Sequence, residues 1–285
     1  MGLKIKNYSL LCNQGTAKYN EDAIGITPFG LWVLDGATGL NGKNIVSDES
    51  DARWYSQWWN NFLYKNISSE NSLKEIVLDG IRKIKKEYKY LLDGRKVEKL
   101  DLPSSSIAIL KFRDNAIEYF LLGDCSFFYN DGERKIIKDR SICNLDDNVY
   151  KEWMKISNLE EFTFNDIKDS VMDIIIENRM KKNTKDGYWI LDFDEEAVKN
   201  SLYGQIEVNN EIKIMLASDG FTCASDRYGI LKEDELIYVA EKMGIEYIAG
   251  QIREFEEDDY KAIKMPRFKV MDDLSAVYVE LYNNR

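Results

Sequence analysis

Acidic residues at the ends of apolar runs are the part of this 285-residue sequence best suited to chemistry. Asp35-Gly36 closes Leu31-Trp32-Val33-Leu34, and Asp219-Gly220 closes Ile214-Met215-Leu216-Ala217-Ser218. A carboxylate carried by an apolar strand into a glycine turn is poorly placed for packing and well placed to hold a hard cation. The dipeptide alone says little, because six Asp-Gly pairs occur. Asp79-Gly80 falls in a helical pattern, Asp93-Gly94 ends one, and Asp186-Gly187 lies in a polar stretch. Asn130-Asp131-Gly132, between the strand patterns at 127–129 and 134–137, reads as a hairpin turn.

Three further acidic sites share the strand-end setting. Asn20-Glu21-Asp22 precedes Ala23-Ile24-Gly25-Ile26, Gly123-Asp124 follows Tyr119-Phe120-Leu121-Leu122, and Asp272-Asp273 opens the last strand pattern at 274–279. Strands that meet one edge of a sheet can bring these acids together. Carboxylates a few Å apart repel, so gathering them calls for a compensating charge. A divalent cation supplies it, and oxygen-only ligands point to magnesium, manganese or calcium. The competing reading is that each acid is an ordinary solvated strand terminus.

Composition narrows the chemistry. The chain has no histidine, which removes Ser-His-Asp and Cys-His hydrolases and nearly every zinc hydrolase site. Catalysis then runs on carboxylates, metal-bound water, lysine, arginine or cysteine. A net charge of −11 argues against nucleic acid or an anionic membrane as the partner. Cys12, Cys125, Cys143 and Cys223 are scattered without a C-x-x-C pair and read as reduced thiols of a cytoplasmic protein. The amino-terminal residues lack a signal peptide's apolar centre, and no apolar run has the length of a membrane span. With 44% hydrophobic residues, three prolines and no linker-like stretch, one domain spanning 1–285 is expected.

The elements that must position the acids follow from periodicity. Short strands are expected between Leu3 and Leu34. A helix capped by Asp48 or Ser50 then carries the stripe Trp54, Trp58, Phe62 with Tyr55, Trp59, Leu63. A second, from about Ser72 to Leu92, has Leu73, Ile76, Val77, Ile81, Ile84 and Tyr88 on one face. Its Lys/Arg run from Arg82 to Lys89 reads as the solvated side. Strand patterns return between Ser105 and Ile137. The stretch 141–202 reads as irregular, with one helix near 167–180. A strand over 212–217, helices over 232–243 and 246–255, and a final strand complete the chain. The order predicts an α+β fold: two stacked antiparallel sheets flanked by helix pairs, a four-layer α-β-β-α sandwich.

Read in order, these residues resemble the metal-dependent protein phosphatases of type 2C, over nearly the whole chain. Asn20-Glu21-Asp22-Ala23 resembles the family's N-x-D/E-D-A box, and Asp35-Gly36-Ala37-Thr38-Gly39 its D-G-x-x-G box. Ser104-Ser105-Ser106 is similar to the S-G-S/T-T segment, and Gly123-Asp124-Cys125-Ser126 to the G-D-S box. Ser218-Asp219-Gly220 and Asp272-Asp273-Leu274-Ser275 match the S-D-G and D-D/N-x-T/S boxes. The resemblance implies that Asp35 bridges two manganese or magnesium ions, with the Gly36 carbonyl on one ion and Asp219 and Asp272 on the other. Glu21 or Asp22 would act through bound water, and Asp124 would help form a third site. A hydroxide held between the two ions would attack phosphorus in line.

The sequence also departs from the pattern. Where the family often carries a phosphate-binding arginine, Gly15-Thr16-Ala17-Lys18 offers Lys18, and Arg227 is the other candidate for substrate binding. Ala37 replaces a common histidine, and Cys223 stands where another aspartate is common. The segment 141–202 lacks the family's usual motif and reads as a divergent, flap-like insertion. The resemblance implies a cytoplasmic phosphatase of phosphoserine or phosphothreonine proteins, with a serine/threonine kinase as its counterpart. The alternatives are a catalytically weak module that binds phosphoproteins, and a hydrolase of small phosphomonoesters.

Overall fold

The computed structural model describes residues 2–157 and 163–283; positions 158–162 of the divergent middle segment lie outside the described residues. In chain order the strands are β1 (Leu3–Asn13), β2 (Ala23–Thr27), β3 (Gly30–Ala37), β4 (Ser104–Phe112) and β5 (Ala116–Leu122). They continue with β6 (Ser126–Asn130), β7 (Arg134–Ile137), β8 (Leu202–Glu207), β9 (Glu211–Ala217) and β10 (Leu274–Asn283). The helices are α1 (Asp51–Asn66), α2 (Leu73–Leu92), α3 (Ser141–Ser157), α4 (Phe164–Ser170) and α5 (Met172–Met180). After them come α6 (Glu196–Lys199), α7 (Asp219–Asp226), α8 (Leu236–Met243) and α9 (Ile245–Asp258).

Side-chain alternation builds the layers. Along β3, Leu31 and Val33 face the other sheet while Trp32 and Leu34 face helices, and all four are fully buried. A strand apolar on both faces has to lie between two layers. One sheet runs β2-β3-β4-β5-β8 and the other β1-β10-β9-β6-β7, with every pairing antiparallel. Between them, Val33, Leu110 and Leu121 of the first sheet meet Phe127, Leu216 and Val277 of the second. α1 and α2 cover the outside of the first sheet through Tyr55, Trp59, Leu63, Ile76, Ile81 and Ile84. α7, α8 and α9 cover the outside of the second through Phe221, Leu236, Ile248 and Ile252. The expected four-layer α+β sandwich is the observed architecture.

Local signals account for the helix starts. Ser50 caps α1, its hydroxyl accepting from the Arg53 N–H at 3.3 Å. Ser72 and Glu75 form a reciprocal capping box at α2, whose Arg82, Lys83, Lys85, Lys86 and Lys89 are exposed as expected. Among the described residues, no helix is long and apolar enough to cross a membrane. Truncating Leu216, fully buried between the sheets, is expected to cost about 2–5 kcal/mol of stability. Urea unfolding of Leu216→Ala checks this.

The middle segment differs from its sequence reading. Instead of one helix near 167–180, it holds α3, α4, α5 and the short α6, and β8 follows as an edge strand. Val171, at φ −104° and ψ 3°, separates α4 from α5. α6 buries Ala197 and Val198 in the core outside the first sheet, but α3, α4 and α5 do not pack on a sheet. Val149 and Trp153 of α3 pack instead with Ile167, Val171 and Ala262, a small satellite core of their own.

Candidate active site

The acid-bearing turns are drawn together by backbone contacts. Ser218 N–H donates to the Ser275 carbonyl (2.9 Å), and Ser275 N–H donates to the Ser218 hydroxyl (3.1 Å). That exchange sets Asp219 beside Asp272. Gly220 lies so close to the Asp273 carbonyl that a Cβ there would collide with it, which is why glycine follows Asp219. A Cβ at Gly36 would likewise strike the Glu21 carbonyl. The Asp273 carboxylate accepts from the N–H groups of Gly15 (2.8 Å) and Glu21 (2.9 Å), so it fastens the amino-terminal loop to the start of β10. On the β3–β4 ladder Asp35 stands opposite Ser106, whose hydroxyl donates to Asp124 at 2.6 Å.

The result is a cavity of about 420 Å3. Glu21, Asp35, Gly36, Asp124, Asp219 and Asp272 form its floor, at the sheet ends. Its roof comes from the middle segment: Ile142, Leu145 and Asp146 of α3, Lys168 of α4, and Met172, Ile175, Asn178 and Arg179 of α5. Six of the seven acidic and glycine positions expected in the site therefore share one cavity. Asp22 is buried just behind them, with its Oδ2 atom lacking any hydrogen-bond partner.

The acids repel one another. Burial, then the charges of Asp22, Asp219, Asp124 and Asp272, hold the Asp35 carboxyl well above the usual carboxylate range. Burial pushes Asp22 up to about 8 and, with the charge of Asp219, Asp124 up to about 6. Asp272 goes the other way. Burial acts upward on it, but the Lys269 ammonium at 2.7 Å holds it below its ordinary value. Asp219 has a similar counter-ion in Arg227, at 3.1 Å. Part of the compensating charge is thus the protein's own. The sequence points to metal ions alone for that charge, and no motif marks Lys269.

Whether the residues fit divalent ions rests on the donor set. Among the described residues, no group of three acidic, Cys or His side chains stands ready to hold a metal as placed. Arg227, Lys269 and Ser106 each hold one of the carboxylates. The half-buried Asp35 carboxylate, by contrast, accepts no hydrogen bond and forms no ion pair among the described residues, and the buried Asp22 Oδ2 is orphaned. Unpaired buried carboxylate oxygens in an all-oxygen cluster are what a hard cation binds. The residues fit such ions, provided Asp219 and Asp272 exchange their basic partners for metal. Glu21 accepts from the hydroxyls of Thr38 and Ser50, so α1's cap residue also fixes a site acid.

The predicted substrate-binding cations lie elsewhere. Lys18 is exposed, its ammonium 4.9 Å from the centre of the Tyr19 ring, and it does not line the cavity. Arg227 lies behind Asp219, its guanidinium 5.2 Å from the centre of the Tyr150 ring. Cys223 is buried and donates its thiol proton to the Gly220 carbonyl at 2.8 Å, offering no carboxylate. The cavity's basic residues are instead Lys168, Arg179 and Lys269. Lys168 is pushed below its ordinary value by burial and by the charge of Lys269. No motif marked these three in the sequence. A signal for α3 was present in a stretch that reads as irregular, since Ile142, Leu145, Val149 and Trp153 repeat at helical spacing.

No protein-family model matches the sequence, and no curated protein matches it. Solved structures do. The serine/threonine phosphatase PstP/Ppp of Mycobacterium tuberculosis is 15% identical over 98% of both chains, with a TM-score of 0.55. The PstP catalytic domain in complex with two manganese ions is 16% identical over 98% of both chains, with a TM-score of 0.54. PppA, a regulatory component of the T6SS in Pseudomonas aeruginosa, is 14% identical over 98% of this chain and 99% of its own, with a TM-score of 0.57. At such identities the likeness speaks to architecture, and over nearly its full length this chain has the fold of the type 2C serine/threonine phosphatases.

Proposed function

We propose that residues 1–285 form one phosphatase domain that hydrolyses phosphoserine or phosphothreonine in proteins with two manganese or magnesium ions. The observation that carries the reading is the gathering of Asp35, Asp124, Asp219 and Asp272 around one cavity, with Asp35 left unpaired. Asp35 would hold both ions, Asp219 and Asp272 one of them, and the Gly36 carbonyl the other; Asp124 would serve a third. Glu21 and Asp22 would orient bound water. When bound, such ions supply a water activated at neutral pH and positive charge for the phosphoryl oxygens. The residues around them fix the acids, keep the floor rigid and exclude bulk water under the helical roof. No side-chain nucleophile is needed, which suits a chain without histidine.

The phosphatase fold of PstP, solved with manganese, supports the choice of metal. Free thiols at Cys12, Cys125, Cys143 and Cys223 support a reducing, cytoplasmic setting, where a serine/threonine kinase would supply the substrate. The test is phosphate release from a phosphothreonine peptide, with manganese and with EDTA. Release that depends on manganese is expected, at a rate above that for p-nitrophenyl phosphate. One observation favours a second reading, a phosphoprotein-binding module: Arg227 and Lys269 already sit on two of the metal acids. A module of that kind would bind the peptide yet release no phosphate at any manganese concentration.

A further inference from the structure

The cavity poses a question that its floor does not answer: what holds the phosphoryl oxygens on the side away from the acids. Two of its basic side chains are uncommitted. Among the described residues, neither Arg179 nor Lys168 forms an ion pair, although both line a cavity rich in carboxylates. Arg179 uses one guanidinium nitrogen, donating to the Thr38 carbonyl at 3.2 Å. Thr38 follows Asp35-Gly36-Ala37, so this bond ties the guanidinium to the loop that presents the central acid. Lys168 donates to the Phe268 carbonyl at 2.9 Å, next in sequence to Lys269. Its ammonium feels the Lys269 ammonium more strongly than Asp272 or Asp169 and forms no ion pair among the described residues.

The remaining cations are spent or absent from the cavity. Lys269 pairs with Asp272, Arg227 with Asp219, and Lys18 lies over Tyr19 outside it. Lys168 stands near the Lys269 ammonium, and neither it nor Arg179 has an ion-pair partner among the described residues, which leaves room in the roof for an anion. A guanidinium suits it best, because its fork can meet two oxygens of one phosphoryl group. Arg179 also stands in the last turn of α5, where the helix dipole favours a cation in the absence of substrate.

We propose that Arg179, with Lys168 on the same roof, grips the substrate's phosphoryl group, so that phosphate recognition comes from the helical roof and not from the amino-terminal loop. This assignment rests on the phosphatase reading and gives its substrate subsite. The roof segment, outside the motif boxes, then carries a binding role as well as closing the cavity.

The test is calorimetric titration of inorganic phosphate into the manganese-loaded protein, alongside manganese titration and steady-state kinetics on p-nitrophenyl phosphate. Arg179→Gln is expected to weaken phosphate at least about tenfold and to raise KM comparably, with manganese affinity unchanged. Arg179→Lys should recover part of the loss, as a point charge without the fork. Lys168→Met should weaken phosphate by a smaller factor. Unchanged phosphate affinity and KM in a folded Arg179→Gln or Arg179→Lys protein would overturn the assignment and leave the phosphatase reading standing. A wild-type protein that binds manganese but neither binds nor releases phosphate would overturn both.

Discussion

Asp35→Asn is expected to lower manganese-dependent turnover by at least about three orders of magnitude while leaving the fold intact. The carboxylate is unpaired among the described residues and faces the charges of four other acids, so the fold gains nothing from its charge. Asparagine keeps its size and removes the repulsion. At pH 8 without metal, the variant should therefore melt at or above the wild-type temperature, a gain on the order of 1 kcal/mol. Activity and stability move in opposite directions, which separates a ligand from a structural residue. Turnover near wild type in Asp35→Asn would sink the metal-site assignment, whatever its stability.

The second large effect is on the pH dependence of the metal-free protein. The chain has no histidine, so no ordinary side chain titrates between about pH 5 and 7.5. Displaced carboxyls titrate within and just above that window: Asp124 at about 6, Asp146 at about 7 and Asp22 at about 8, each raised chiefly by burial. These acids hold protons in the folded protein at pH values where the unfolded chain has released them. The unfolded state then binds fewer protons, and stability falls as pH rises from about 4 to about 8. Below that window both states are protonated and the effect vanishes. In EDTA, the protein should be more stable at pH 5.5 than at pH 8 by several kcal/mol, on the order of 10 °C in Tm. Manganese at pH 8 should restore most of the difference, because cations bind the released carboxylates. A melting temperature that climbs from pH 5.5 to 8 in EDTA would contradict the crowded-acid account.

What could be read in the sequence was what periodicity and turn chemistry encode. Leu31 to Leu34 reads as a strand buried on both faces, and the stacked sheets follow from that run together with the amphipathic α1 and α2. Asp35, Asp124, Asp219 and Asp272 were recognisable because each sits at a strand end beside glycine or another acid, a local feature. The roof was harder. α3 has helical spacing, but its apolar face packs on α4 and the 262–268 loop, so no neighbouring strand pattern announces it. The basic residues were hardest. Lys18 and Arg227 stand near motif residues in sequence, yet the fold turns one to solvent and commits the other to Asp219. Arg179 reaches the Thr38 carbonyl across 141 positions of chain, a contact no local pattern encodes.

The pairing of β1 with β10, from Leu3 against Asn283 to Asn13 against Leu274, sets when the protein can become competent during synthesis. Asp272 immediately precedes β10, and the loop holding Gly15 and Glu21 is fastened by Asp273. While the last strand is still in the ribosomal tunnel, the early strands have neither their edge partner nor the acids that complete the centre. A nascent chain should therefore lack an assembled acid cluster until β10 has emerged, with β1 left unpaired for chaperones to shield.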